Sequence, residues 1–97
     1  MVTFITLIRF TPQGIGSIKD SPKRLDTARQ AFRAMGAELK QWYLVQGQYD
    51  AVAIGEAPDD ETAMKLALVI NSQGSIRTET LRAFTEEEYR KIIAALP

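Results

Sequence analysis

The 97-residue chain contains no cysteine and no histidine. These two absences exclude thiol nucleophiles, disulfide bonds, imidazole-based catalytic triads and metal sites that use thiolate or imidazole ligands. Any acid–base chemistry must use carboxylates, lysine or tyrosine. The sequence accordingly predicts no metal site and no bound cofactor. The lack of cysteine fits a cytoplasmic protein, because disulfides are rare in that compartment.

A net charge is also missing, since 12 lysines and arginines balance 12 aspartates and glutamates. A chain without net charge has no overall field that attracts nucleic acid or an anionic membrane. The N-terminal stretch Met1–Phe10 lacks the cationic lead of a signal peptide, and Thr3, Thr6 and Arg9 interrupt its apolar run. We therefore expect neither nucleic acid nor a membrane as a partner.

Apolar and turn patterns divide the chain into four strands and three helices. The predicted strands are Val2–Phe10, Glu38–Gln46, Tyr49–Glu56 and Ser75–Phe84. The predicted helices begin near Ser21-Pro22, Asp59 and Glu86, and the first two end at Gly36 and Gly74. Glycine suits these ends because it adopts left-handed backbone angles without strain.

Several short-range signals fix the ends of these elements. Ser21 and Asp59 are candidate helix caps, and Thr85 with Glu88 has the spacing of a capping box. Gly47-Gln48 predicts a two-residue hairpin turn in which Gly47 has a positive φ.

The order of elements is β-α-β-β-α-β-α, which predicts an α+β fold in one domain spanning residues 1–97. Two right-handed β-α-β units sharing one antiparallel sheet give the ferredoxin-like βαββαβ sandwich, here followed by a C-terminal helix. A chain of this length has room for one modest core.

Both faces of the predicted sheet are apolar. In the first strand, Phe4, Ile8 and Phe10 alternate with Ile5 and Leu7, so both faces are apolar. In the third strand, Val52 and Ile54 point to one face, and Tyr49, Ala51 and Ala53 point to the other. Two helices can cover only one face, and exposing several large apolar side chains on the other is unfavourable. We expect a second copy of the chain to cover that face, giving a homodimer or larger homo-oligomer. The alternative is that the C-terminal helix folds across it.

Four segments resemble the GYD-domain proteins, a family of small bacterial proteins, and the resemblance spans nearly the whole chain. The segments are Thr11–Gly14, Ile18–Arg24, Gly47–Asp50 and Ile76–Phe84. The resemblance implies a ferredoxin-like subunit of the dimeric α+β barrel type and implies no activity. The Gly-x-Tyr-Asp hairpin is also similar, more distantly, to the effector-binding domain of leucine-responsive transcription regulators.

The candidate ligand-binding residues are charged or aromatic and lie at predicted element ends: Lys19, Arg24, Tyr49, Asp50 and Arg82. Lys19 and Arg24 at a helix start favour an anion, and the Arg82 fork matches a carboxylate. Together they predict a site for a small anionic metabolite. Four of these residues also have a structural interpretation: Asp50 as acceptor for backbone N–H groups, Lys19 and Arg24 as a solvated charged loop, and Arg82 as half of an ion pair.

Three classes of function fit this sequence. The first is a homo-oligomeric small-molecule-binding or sensory module with a pocket at the sheet or subunit interface. The second, by analogy of fold alone, is a cofactor-free enzyme of the monooxygenase or isomerase type. The third is a structural assembly protein. No catalytic constellation distinguishes the second class.

Overall fold

The computed structural model describes all 97 residues, Met1–Pro97. Its strands are β1 (Val2–Phe10), β2 (Glu38–Leu44), β3 (Ala51–Ala57) and β4 (Ile76–Ala83). Its helices are α1 (Pro12–Gly16), α2 (Ser21–Ala34), α3 (Asp60–Ser72) and α4 (Glu86–Ala94), and a 3₁₀ turn at Ile18–Asp20 precedes α2. None of the helices combines the length and the apolar composition needed to span a membrane.

The four strands form one antiparallel sheet in the order β2-β3-β1-β4. The two strands that are first and third in the sequence therefore lie at its centre. Ile5 of β1 lies opposite Ile54 of β3 on one side and Leu81 of β4 on the other. This order, with α2 and α3 as the crossover helices, confirms the predicted ferredoxin-like α+β fold.

The hairpin between β2 and β3 is longer than predicted. The Val45 N–H donates to the Asp50 carbonyl at 2.9 Å, so four residues, Gln46–Tyr49, form the loop. Gly47 has a φ of 125°, which confirms the positive φ but not the two-residue turn. The strand β3 begins at Ala51, two residues later than the sequence predicts.

The helix caps agree with the sequence at two of three positions. Asp59 accepts a hydrogen bond from the Thr62 N–H at 2.7 Å, and the capping box of Thr85 and Glu88 is complete. Ser21 is not a cap, because its φ of −55° and ψ of −42° are already helical. The 3₁₀ turn runs directly into α2, and the position before the helix is Asp20.

The core lies between the sheet and the helices α2 and α3. Phe4 and Ile8 of β1, Phe32 of α2 and Leu66 of α3 are buried, and the Phe4 and Phe32 rings lie 6.2 Å apart. The strand β3 contributes only small side chains to this side. In total 13 of the 97 residues are buried, so the core is small for a chain of this length.

The opposite face of the sheet is uncovered. Its side chains include Ile5, Val52 and Ile54, which are partly exposed, and Leu81, which is 42% exposed. Helix α4 does not pack across this face, because none of its residues is buried. The alternative prediction, in which the C-terminal helix covers the sheet, is therefore wrong.

Candidate ligand-binding cleft

A cleft of about 350 Å³ opens between α2 and α3 and reaches down to the sheet. We refer to it as the α2–α3 cleft. Phe4 and Ile8 from β1 line its floor, Trp42 from β2 lines one side, and Phe32 and Leu66 come from the two helices. The cleft is therefore mainly apolar and directly continuous with the core.

The cleft exists because small side chains meet small side chains across the two layers. The strand β3 faces the helices with Ala51, Ala53, Gly55 and Ala57. The helices face the sheet and each other with Ala28, Ala31, Ala63 and Ala67, all of which line the cleft. Protein interiors are normally close-packed, but the small side chains of β3, α2 and α3 leave space open between the two layers.

Two threonine hydroxyls supply the polar part of the floor. Thr6 and Thr80 lie opposite each other on neighbouring strands, and both line the cleft. The next threonine along β4, Thr78, is already satisfied, because the Asn71 amide nitrogen donates to its hydroxyl at 2.7 Å. Asn71 also accepts from the Thr78 N–H at 3.0 Å. The hydroxyls of Thr6 and Thr80 remain available to a bound molecule.

Arg24 is the one predicted site residue that lines this cleft. Its Nη1 donates to the backbone and hydroxyl oxygens of Ser17 at 3.2 Å each, and its Nη2 lies 3.4 Å from the Gly14 carbonyl. These contacts attach α2 to α1 and occupy three of the five guanidinium N–H groups. Lys23 and Asp20 share the mouth of the cleft. Lys19 is exposed on the 3₁₀ turn and does not line it.

Asp50 extends the hydrogen-bond ladder between β1 and β3. Its N–H donates to the Ile8 carbonyl at 2.8 Å, and its Oδ2 accepts from the Phe10 N–H at 2.9 Å. A side-chain oxygen thus replaces the backbone acceptor that a longer β3 would provide. This is the structural interpretation of Asp50, and it explains why an aspartate follows the hairpin loop.

Tyr49 belongs to the uncovered side of the sheet. The Arg9 guanidinium lies 4.8 Å from the centre of the Tyr49 ring, and the Tyr49 hydroxyl is 3.5 Å from a Glu79 carboxylate oxygen. Arg9 and Glu79 both project from the face opposite α2 and α3. Tyr49 therefore points away from the α2–α3 cleft.

Arg82 lies at the other end of the sheet. It pairs with Phe4 in the β1–β4 ladder, whereas Asp50 bonds to Phe10, six residues further along β1. Six strand residues span about 20 Å. The Arg82 Nε is 3.3 Å from Asp60 Oδ1, and its guanidinium lies 4.4 Å above the Phe84 ring.

The structure does not bring the five predicted residues together within one chain. Four of them lie at the end of the sheet where β1 finishes, and Arg82 lies at the end where β1 begins. Arg82 instead borders a smaller cavity of about 170 Å³, together with Asp60 and Met64. Any single site that uses Arg82 and Asp50 would require residues from two chains.

The shifted pKa values in the chain have structural causes. The Thr62 N–H holds the pKa of the Asp59 carboxyl below its ordinary value, and the Thr85 N–H does the same for Glu88. A hydrogen bond to Glu56, 2.9 Å away, raises the pKa of Lys40 at the β2 edge. No group of three or more carboxylates lies close enough together to hold a metal ion.

Comparison with known proteins identifies the family. The family model described as the GYD domain matches residues 4–93. The chain belongs to the GYD domain family. A relative from Thermus thermophilus, named glutamine synthetase and cystathionine beta-lyase binding protein, is 36% identical over 84 residues, covering 86% of this chain and 88% of the relative.

Solved structures share the fold of this GYD domain. A crystal structure of a Thermus thermophilus protein has 29% identity and a TM-score of 0.57, covering 88% of this chain and 95% of that one. The feast or famine regulatory protein of Mycobacterium tuberculosis, solved with L-methionine, has 15% identity and a TM-score of 0.67, covering 88% of this chain. The GYD domain spans about half of that regulator, 51%. The leucine response regulatory protein of Mycobacterium tuberculosis, with 16% identity and a TM-score of 0.64 over 87% of this chain and 51% of that one, confirms the distant resemblance to leucine-responsive regulators at the level of the fold.

Sequence reasoning missed the residues that shape the cleft in this GYD domain. Trp42, Thr6 and Thr80 line the cleft and are not among the ligand-binding residues that the sequence predicts. One signal was present, since small residues at every second position of β3 leave space beside a central strand. The separation of α2 and α3, which turns that space into a cleft, has no local signal.

Proposed function

We propose that this GYD domain is a homo-oligomeric module that binds a small, mainly apolar molecule in the α2–α3 cleft. The observation that carries the proposal is the cleft itself, whose volume of about 350 Å³ is large for a chain with 13 buried residues. Ligand pockets are typically about 300–1,000 Å³ and apolar, with a few polar groups that orient the ligand. The α2–α3 cleft has this composition.

The polar groups favour an apolar molecule that carries one acidic group. Arg24 keeps its Nε–H and one Nη2–H, and Lys23 adds a second positive charge against the single negative charge of Asp20. The mouth therefore favours an anion, while the hydroxyls of Thr6 and Thr80 suit a neutral polar group deeper inside. This agrees with the predicted small anionic metabolite. The ligand roles of Lys19, Tyr49, Asp50 and Arg82 stay predictions, and these four residues do not line the α2–α3 cleft.

The test uses the only tryptophan of the chain as a reporter. Because Trp42 lines the cleft, a bound molecule should change its fluorescence. Native mass spectrometry of the purified protein first identifies any co-purifying molecule, and titrations with aromatic monocarboxylic acids and their neutral amides then probe the charge preference. We expect the acids to bind more tightly than the amides.

A matched pair of variants locates the binding. Ala28→Phe places a ring in the cleft, whereas Ala34→Phe places the same ring on the exposed side of the same helix. Ala28→Phe should abolish the Trp42 response and Ala34→Phe should leave it unchanged. Equal binding by both variants would overturn the proposal. Turnover of the bound molecule would support the cofactor-free enzyme, and absence of any binding would support the structural assembly protein.

The homo-oligomer is supported by the uncovered apolar face of the sheet. Burying a large aliphatic side chain contributes about 1.5–3 kcal/mol, so covering Ile5, Leu7, Ile54 and their neighbours favours association. Sedimentation velocity over a dilution series should show a dimer or larger species at micromolar concentration. A folded monomer throughout the series would contradict the proposed self-association. It would not bear on ligand binding in the α2–α3 cleft.

A second candidate function is binding to a metabolic enzyme. The Thermus thermophilus relative, 36% identical, is named for binding glutamine synthetase and cystathionine beta-lyase. On this chain, Met64 and Leu68 lie one turn apart on α3 and are 52% and 65% exposed. Such a pair suits a protein–protein contact.

The enzyme-binding function is tested by surface plasmon resonance with purified glutamine synthetase and cystathionine beta-lyase. We expect binding by the parent protein, loss of binding on Met64→Glu with Leu68→Glu, and retention on Ala34→Glu, which adds a charge to the exposed side of α2. If neither enzyme binds the parent protein, this second function does not apply to the chain.

A further inference from the structure

The smaller cavity beside Arg82 continues the α2–α3 cleft towards the start of β1. Its volume is about 170 Å³, and the apolar part of its lining comes from Val2, Phe4, Ala63 and Met64. We call it the Met64 cavity. Phe4, Ala63 and Thr80 line both this cavity and the cleft. The two spaces are therefore neighbours that share a wall.

One face of β1 forms the floor of both spaces. Alternate residues of a strand point to the same side of the sheet. Phe10, Ile8, Thr6 and Phe4 line the cleft, and Val2 lines the Met64 cavity. The strand rises about 27 Å from the first to the last member of this row. The cleft and the cavity thus follow one strand and form an elongated path.

The ring of Phe4 leaves one side of the junction between the two spaces open. Phe4 lies opposite Gly55 of β3, and a Cβ at Gly55 would lie 2.9 Å from the Phe4 Cζ. The ring is also 6.2 Å from that of Phe32 on α2. Because the ring leans towards β3 and α2, the β4 side of the junction is bordered by the small side chains of Ala63 and Thr80.

The two ends of the path differ in charge. At the mouth of the cleft, Arg24 keeps two free N–H groups, and Lys23 adds a second positive charge. At the far end, the guanidinium of Arg82 is already paired, because its Nε lies 3.3 Å from Asp60 Oδ1. An acidic group therefore finds a free cation only at the cleft mouth, and the far end suits an apolar group.

We propose that the ligand is an unbranched aliphatic monocarboxylic acid whose chain continues from the cleft into the Met64 cavity. Its carboxylate lies beside Arg24, and its chain follows β1 and passes Phe4 on the β4 side. A flexible chain can follow this path, whereas a rigid ring system would fill only the cleft. The hydroxyls of Thr6 and Thr80 suit a hydroxyl or carbonyl in the middle of the chain. The inference rests on the proposed binding of an acid in the cleft and adds the shape of that acid.

The first test measures how affinity depends on chain length. Straight-chain acids from octanoate to hexadecanoate, each below its micelle-forming concentration, are titrated against the Trp42 fluorescence. Each methylene that becomes buried should raise the affinity about fourfold. In the parent protein we expect this gain to continue to the longest acids. Val2→Phe fills the Met64 cavity, so the ratio of the octanoate to the hexadecanoate dissociation constant should fall at least tenfold.

Two further variants control this measurement. Ala34→Phe places the same ring on the exposed side of α2 and should keep the ratio of the parent protein. Ala63→Leu narrows the junction from α3 and should lower the ratio as Val2→Phe does, which separates a blocked path from a disturbed β1. If all three variants keep the parent ratio, the ligand is confined to the cleft and the inference is wrong, although binding in the cleft stands. If no acid binds the parent protein, the proposed function itself fails.

The second test examines the far end of the path with hexadecanedioate, which carries a carboxylate at both ends. Burying its second carboxylate in the Met64 cavity is unfavourable, because Arg82 is already paired with Asp60. We expect hexadecanedioate to bind the parent protein at least tenfold more weakly than hexadecanoate. Equal or tighter binding of hexadecanedioate would show that Arg82 receives a carboxylate, and would overturn the assignment of an apolar chain end to the Met64 cavity.

Discussion

The two faces of the sheet differ in the size of the side chains that β3 presents. Towards the helices, β3 presents alanine and glycine, and the layer above it keeps an open cleft. Away from the helices, β3 presents Val52 and Ile54, and β1 adds Ile5 and Leu7. Large aliphatic side chains normally point towards the packed layer of a two-layer fold. In this protein the central strands direct much of their apolar surface to the side that the chain leaves uncovered.

The difference suggests that the chain relies on association for part of its stability. A layer with unfilled space loses dispersion contacts along the lining of that space. Any partner that binds only the folded state stabilises it by mass action. A small molecule in the α2–α3 cleft would stabilise one face in this way, and a second copy would stabilise the other.

The largest expected effect on stability is at Gly14, where the helix side of the sheet is tightly packed. A Cβ at Gly14 would overlap the Ser75 carbonyl oxygen and lie 3.0 Å from its carbon, so α1 must move away from β4. We expect Gly14→Ala to lower the free energy of unfolding by about 3 kcal/mol, measured by urea denaturation. Gly16→Ala is the matched control in the same helix, because no atom lies within 4 Å of its Cβ. Equal stability of the two variants would show that the contact yields easily.

The second prediction tests whether the uncovered face is buried in solution. Ile54→Ala should cost about 2 kcal/mol at concentrations where the chain self-associates, because a buried isoleucine is then truncated. After dilution to monomer, the loss should shrink to within about 0.5 kcal/mol of the parent value. Thermal unfolding followed across a hundredfold dilution measures both. A loss that does not depend on concentration would place Ile54 in the core of a single chain.

Local signals predicted the elements well, because their causes are local. Asp59 caps α3 through a residue three positions away, and Gly36 and Gly74 end their helices with φ of 75° and 85°. The alternation of side chains along β1 also predicted the two apolar faces. Each of these features depends on neighbours within a few residues, which a single sequence displays.

The candidate site could not be predicted in the same way, because it depends on contacts between distant parts of the chain. Asp50 bonds to Phe10, forty residues away, and this bond decides that its carboxylate supports the sheet. Arg82 was grouped with Asp50 although the antiparallel register places them at opposite ends of β1. The cleft results from the spacing of two helices, and no residue in either helix encodes that spacing alone.

The third prediction separates the structural role of Asp50 from a ligand role. Asp50→Ala removes the acceptor for the Phe10 N–H and should destabilise the protein by about 1–2 kcal/mol. Asp50→Asn keeps a side-chain oxygen at that position and should recover at least half of the loss. Both variants should retain the Trp42 fluorescence response, because Asp50 does not line the α2–α3 cleft. If a fully folded Asp50→Asn protein loses the Trp42 fluorescence response, Asp50 takes part in ligand binding.

The smallest expected effect compares the caps of α3, which packs on the sheet, and α4, which projects from it. The N–H of Thr62 lowers the pKa of Asp59 from 3.8, and the N–H of Thr85 lowers that of Glu88 from 4.5. A carboxyl group whose pKa is lower in the folded state contributes stability above its unfolded pKa, and this contribution disappears as the pH falls through the folded value. Stability should therefore decrease as the pH is lowered from about 5 towards 2.

Single substitutions assign that decrease to one helix or the other. Asp59→Asn should flatten the pH dependence at any protein concentration, because α3 unfolds with the sheet. Glu88→Gln should flatten it much less, because no residue of α4 is buried and the helix can unfold before the rest of the chain. Urea denaturation of both variants at several pH values measures the two effects. If Glu88→Gln flattens the pH dependence as much as Asp59→Asn does, α4 unfolds together with the sheet, as α3 does.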